Sequence, residues 1–269
     1  MAENSVLIKQ KNMMGNYFVD KNSIVRQIWG KADTILFIFA GASAEFALNK
    51  SVDWLYFTGR LPSDPLGRLF STVAYARQIL FYEYDAALRA IDQINAIHKN
   101  VEATREMNIP DEAYLDVLYL LIDYSMRSYE LLERKLSAAE KEEVFEVFYR
   151  VGKRMGLIGL PENYQDWEIK REDQLAAGLY CSDFTSDLYR QYHKHLGLIR
   201  YLILKQAQLL LVPRSVKKLL QLGGIPWLLP VLMIYKSFRL INLQNVLKKA
   251  ILPPAYVAQV QAMDSIPNY

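Results

Sequence analysis

The chain has 269 residues, 52% hydrophobic, 12% aromatic and 23% charged, with a formal net charge of +3. That length and apolar share suit one large globular domain, and 18 tyrosines exclude a disordered chain. The single cysteine, Cys181, excludes an internal disulfide, a multi-cysteine zinc site and C-x-x-C-H haem attachment. It fits a reducing, cytoplasmic setting, and its expected state is a buried structural thiol.

The start, "MAENSVLIKQKNMMGNYF", does not read as a signal peptide: its apolar part is short, and Lys9 and Lys11 follow it. "KADTILFIFAGASAEFALNK" is apolar nearly all round, the pattern of a buried helix. "DPLGRLFST" reads as a helix start, with Asp64 as cap and Pro65 in the first turn. Arg68 and Thr72 then fall four residues apart on one helical face, beside Leu69 and Val73. From Tyr84 to Val101, Ala87, Ile91, Ile94, His98 and Val101 make one helical stripe. A long helix is expected from Asp111, after Pro110.

"SAAEKEEVFEVFYRVGKRMG" opens with the capping-box spacing of Ser137 and Glu140 and closes at Gly156, a left-handed C-terminal position. "TSDLYRQYHKHLGLIRYLILKQAQLLLV" reads as one further helix, stopped by Pro213. "LGGIPWLLPVLMIY", Leu222 to Tyr235, is shorter than the roughly 20 residues of a bilayer span and is broken by two prolines. It reads as a core or interfacial segment. Without hairpin turns between alternating runs, and without repeats, the fold class is all-α, in one mostly helical domain.

Charge is uneven. From Leu188 onward the only acid is Asp264, against eleven lysines and arginines. A basic, apolar half admits peripheral contact with an anionic membrane; it equally suits charges that balance in three dimensions. No nucleic-acid motif accompanies it.

Of three histidines, His193 and His195 would diverge on a helix, which disfavours a shared metal. The Glu-x-x-His motif of di-iron bundles is absent, and so are the glycine-rich nucleotide loops and the G-x-S-x-G elbow. His98, on its apolar stripe, is either a core imidazole satisfied by a hydrogen bond or a ligand. A lone histidine is how haem iron is often held, since the porphyrin brings four nitrogens of its own. Pattern alone leaves both readings open.

A resemblance bears on the choice. "ADTILFIFAGASAEFALN", "DPLGRLFST", "AIDQINAIHKNV", "PDEAYLDVLYLLIDYSMRSYELL" and "EEVFEVFYRVGKRMGLIGLPENYQDW" follow, in order and spacing, stretches of the MpaB-like and latex-clearing-protein (rubber oxygenase) family. The D-P-x-x-R-x-x-x-T and I-H-x-x-V stretches are the clearest. The resemblance spans residues 30–225. It leaves 1–29 as an N-terminal extension and 226–269 as a basic, apolar segment packed on the domain.

The resemblance implies an α-helical protein with a haem pocket between helices. It implies non-covalent haem b and O2-dependent cleavage of a C=C bond in an isoprenoid-like substrate. By the motif matches His98 is the iron ligand, and Arg68 and Thr72 line the haem pocket. The sequence departs from the family in three places. Ala103 stands where a glycine is frequent, "VLYLLID" (Val117 to Asp123) replaces a W-V-H-A-T-like stretch, and Ser71 stands where rubber oxygenases can carry a lysine. Two alternatives follow: a haem-binding or sensing protein without turnover, and a cofactor-free helical interaction protein. In the latter, Arg68 and His98 would pair with acids such as Asp92, Asp116 or Asp123.

Overall fold

A computed structural model of the chain describes residues 16–50 and 65–239. Among these residues there are ten helices, and the only β pairing is two isolated bridges, Tyr17 with Glu83 and Asn49 with Leu179. The helices are α1 (Ile24–Trp29), α2 (Ala32–Phe46), α3 (Pro65–Phe81), α4 (Tyr84–Arg105) and α5 (Asp111–Leu132). They continue with α6 (Ala138–Met155), α7 (Tyr164–Ala177), α8 (Asp183–Leu211), α9 (Arg214–Leu219) and α10 (Leu228–Arg239). The chain is all-α, as its periodicity indicates.

The apolar character of α2 on all sides explains its central place. Ala32, Ile35, Ile38, Ala42 and Ala44 are buried around its circumference, and it packs most extensively along α5. Gly41 sits where the two helices approach closely: a Cβ there would collide with the ring of Tyr124. The core continues through Ile28 and Trp29 of α1, Leu80 of α3 and Ile91 of α4. Phe18 and Val19, ahead of α1, are buried in it as well. The Trp29 indole donates to Ser125 Oγ at 3.0 Å, which satisfies its buried N–H.

Local signals set the helix ends. Ser137 Oγ accepts from the Glu140 amide at 3.3 Å, while the Glu140 carboxylate accepts from the Ser137 amide at 2.8 Å. That is the reciprocal cap expected from the spacing, and Gly156 closes α6 at φ 77°. Helix α3 begins at Pro65; its expected cap, Asp64, lies outside the described residues. In α10, Leu228, Leu232 and Tyr235 are buried, and the Tyr235 hydroxyl donates to Asp33 Oδ2 at 2.9 Å. No helix among the described residues is long and apolar enough to cross a membrane.

Two expectations need correction. The stretch Thr185–Val212 is not one continuous helix: α8 is broken at Gly197, with φ 72° and ψ 169°. This backbone region is essentially reserved for glycine. Cys181 is exposed, because it falls on the connection between α7 and α8 and not on a core face.

The close approach of α2 to α5 is testable. A side chain at Gly41 gains helix propensity of at most about 1 kcal/mol over glycine. It must displace the buried Tyr124 ring, and overpacking of this kind costs about 1–3 kcal/mol. Gly41→Val, whose branched side chain also has low helix propensity, is expected to lower unfolding stability by about 2 kcal/mol or more in urea titrations.

Candidate functional site

Two consecutive helices carry the three residues singled out by sequence. Helices α3 and α4 form an antiparallel hairpin about Tyr82 and Glu83 and pack on each other. Arg68 lies in the first turns of α3; its side chain is outside the described residues. Thr72, one turn further on, is exposed, while its neighbour Val73 turns into the core. His98 lies beyond the middle of α4 and is half-buried. Its Nδ1 is buried. Helix packing therefore brings together the two helices that carry Arg68, Thr72 and His98.

The hydrophobic stripe seats α4. Ala87 and Ile91 are fully buried and Ile94 packs on the core; the stripe becomes half-buried at His98 and Val101. Two polar ties hold the helix against α6. Arg154 forms a fork with both carboxylate oxygens of Asp92 at 2.7 and 2.8 Å, and Asn95 Nδ2 donates to the Met155 carbonyl at 3.3 Å.

A tyrosine that sequence reasoning missed meets the imidazole. Tyr114, on the first turns of α5, stands edge to face with His98, ring centroids 5.1 Å apart. Its phenol is raised above its ordinary range, chiefly by burial and then by the charge of Glu102 and the hydrogen bond to it. Tyr114 therefore remains a protonated donor to Glu102. Glu102 Oε1 also accepts from the Ile109 amide at 2.8 Å. One carboxylate thus ties the end of α4 to the connection that leads into α5. The His98-to-Glu102 spacing of one turn was visible in the sequence; the arrival of Tyr114 depends on the path of the connection.

Behind this region lies a buried ionic cluster that joins three helices. Arg171 of α7 donates to both oxygens of Glu45 of α2, at 2.5 and 2.6 Å, and to Asp123 Oδ2 of α5 at 2.8 and 3.1 Å. Tyr124 donates to Glu45 Oε2 at 2.8 Å, and Arg127 holds the other oxygen of Asp123 at 2.6 Å. Gln174 accepts from Arg171 at 2.6 Å and donates to Asp116. Burial pulls the Arg171 guanidinium down, but the bonds to Glu45 and the charge of Asp123 outweigh it and hold Arg171 above its ordinary value. Burial and the Glu45 charge raise the Tyr124 phenol well above its own. Two carboxylates and two guanidiniums balance here, which suits a structural clamp. Of the acids that sequence offered as partners for Arg68 and His98, Asp92 accepts from Arg154, Asp123 from Arg171 and Arg127, and Asp116 from Gln174.

His193 packs on the ring of Tyr201, with centroids 5.0 Å apart, on the broken helix α8. Among the described residues, no three His, Cys, Asp or Glu side chains come together as a metal-binding group.

The family follows from a match over most of the chain. The family model for the catalytic domain of ER-bound oxygenase mpaB/B' and rubber oxygenase matches residues 29–242. The chain belongs to this oxygenase family. The match runs from Trp29 at the end of α1 past the end of α10, so it includes the α3–α4 hairpin and the Arg171 clamp. No curated protein and no solved structure matches the chain.

The clamp makes a specific prediction. Arg171→Ala strands the fully buried Glu45, so a loss of about 3–5 kcal/mol in urea unfolding is expected. The double variant Glu45→Leu/Arg171→Met should lose less than the single one, because Asp123 keeps Arg127 and no buried acid is left alone. Equal or greater loss in the double variant would count against the clamp.

Proposed function

We propose that the protein is a haem b-dependent oxygenase that oxidises or cleaves a C=C bond of a hydrophobic, isoprenoid-like substrate with O2. The observation that carries this reading is His98: a half-buried imidazole with a buried Nδ1, braced by the Tyr114 ring, inside an oxygenase catalytic domain. A single imidazole fits a group that brings four nitrogens of its own better than a bare ion, which needs several protein ligands. The residues present therefore fit haem. When bound, haem supplies the oxygen chemistry.

The chain's own residues have distinct tasks in this reading. His98 holds the iron, and the Tyr114 ring limits the rotation of its imidazole. Arg68 supplies a permanent cation from the first turns of α3, which would pair with a propionate of haem or offset negative charge in the pocket. The Thr72 hydroxyl, exposed one turn away, donates a hydrogen bond. Ser71 beside it is an uncharged hydroxyl where related enzymes can carry a lysine, so a side-chain ammonium is not available from that position. An apolar substrate excludes water from the site as it binds.

A second reading, haem binding without turnover, has one observation in its favour. The segment that replaces the W-V-H-A-T-like stretch is packed as core, with Leu118, Tyr119, Leu120 and Ile122 buried. Oxygen uptake with a polyisoprenoid separates the two readings, since only the oxygenase consumes O2 in proportion to substrate.

Reconstitution with haem is expected to give a Soret band, and His98→Ala to weaken haem binding by more than about tenfold. A wild-type protein that takes up no haem overturns the proposal. Binding unchanged in His98→Ala overturns the assignment of His98. Arg68→Ala is expected to lower turnover by about a hundredfold while haem remains bound.

A further inference from the structure

We infer that the tip of the broken helix α8 is a docking element for an anionic membrane surface. Its shape follows from three contacts. The Tyr192 hydroxyl reaches the Ser43 carbonyl at 3.4 Å, and Gln208 Nε2 reaches the Ser43 hydroxyl at 3.2 Å. The Tyr189 hydroxyl donates to Gln208 Oε1 at 2.9 Å. In a straight helix residues 192 and 208 would stand about 24 Å apart, beyond the reach of a shared partner. The break at Gly197 instead folds the second half of α8 back beside the first. Both halves are anchored at Ser43 of α2, and the turn between them is the apex of a helical hairpin.

The apex combines the two features that bind a bilayer interface. Leu198, Ile199 and Leu202 are 62, 74 and 48% exposed, three neighbouring aliphatic side chains on one tip. Lys194 is exposed beside them, and the Arg200 guanidinium folds back toward the Leu196 carbonyl at 3.5 Å. No acid occurs between Asp187, at the base of the hairpin, and Asp264. An aliphatic apex flanked by the cations Lys194 and Arg200 is complementary to an anionic headgroup layer above hydrocarbon.

Other occupants fit less well. In a symmetric contact between two copies, the same tip would face itself and bring Lys194 and Arg200 against their own equivalents. Single-stranded nucleic acid would need exposed rings to stack on, and the apex is aliphatic. Residues 240–269 bring Lys248 and Lys249 against one acid, Asp264, and so offer little charge complementarity. The inference rests on the exposed side chains of α8 and does not depend on haem.

The test uses the full chain and sedimentation with phosphatidylcholine vesicles, with and without phosphatidylserine. The wild type is expected to bind the phosphatidylserine vesicles and to lose binding as salt is raised. Leu198→Glu/Ile199→Glu and Lys194→Glu/Arg200→Glu should each weaken that binding at least tenfold, with helical circular dichroism unchanged. Absence of wild-type binding to either vesicle overturns the inference. So does binding that both variants retain. Dimerisation in size-exclusion chromatography that only the apex variants abolish, without vesicle binding by the wild type, assigns the tip to a second copy and also overturns it.

Discussion

The buried bonds of Arg171 to Glu45 and Asp123 are the constraint on which the rest of the structure depends. One guanidinium draws acids from α2 and α5 onto α7, three elements far apart in sequence. Each group alone would be costly to remove from water, so the three helices are stable in this arrangement only when all arrive together. The contact between α2 and α5 needs Gly41 for the same reason: Tyr124, which stacks against that glycine, also bonds Glu45. Close packing and charge neutralisation thus fix the same helix pair.

The site depends on this frame through α5. Its C-terminal half carries Asp123 into the clamp, and its first turns carry Tyr114 to the face of His98. A rigid helix links the two, so the position of the imidazole's neighbour follows from the buried ions some two turns away. Glu102 adds a second tie, between α4 and the connection into α5. In the proposed enzyme a single imidazole has to hold the iron, and these contacts give it a fixed setting before any cofactor arrives.

Much of this was legible in sequence where the physics is local. The capping box at Ser137 and Glu140, the start of α5 after Pro110 and the all-round burial of α2 each depend on residues within a few turns of one another. The family signal was legible too, because it rests on ordered motifs. Long-range events were not. Glu45 is the one acid in the apolar run "FAGASAEFALN", and nothing local names Arg171 as its partner. Gly197 lies inside a run that reads as one helix, and such a pattern does not record φ and ψ. Its break exposes an aliphatic tip that the period of α8 would have assigned to a helix face. Cys181 read as core because cysteine usually is; the turn into the Ser182 cap exposed it.

The most direct test of the central claim is chemical rescue of the iron ligand. His98→Gly, loaded with haem, leaves space for a free imidazole. If His98 holds the iron in the setting described, the variant's absorption spectrum will differ from wild type and return to it as imidazole is added. A His98→Gly protein whose haem spectrum already equals that of the wild type, with no response to imidazole, would contradict the account.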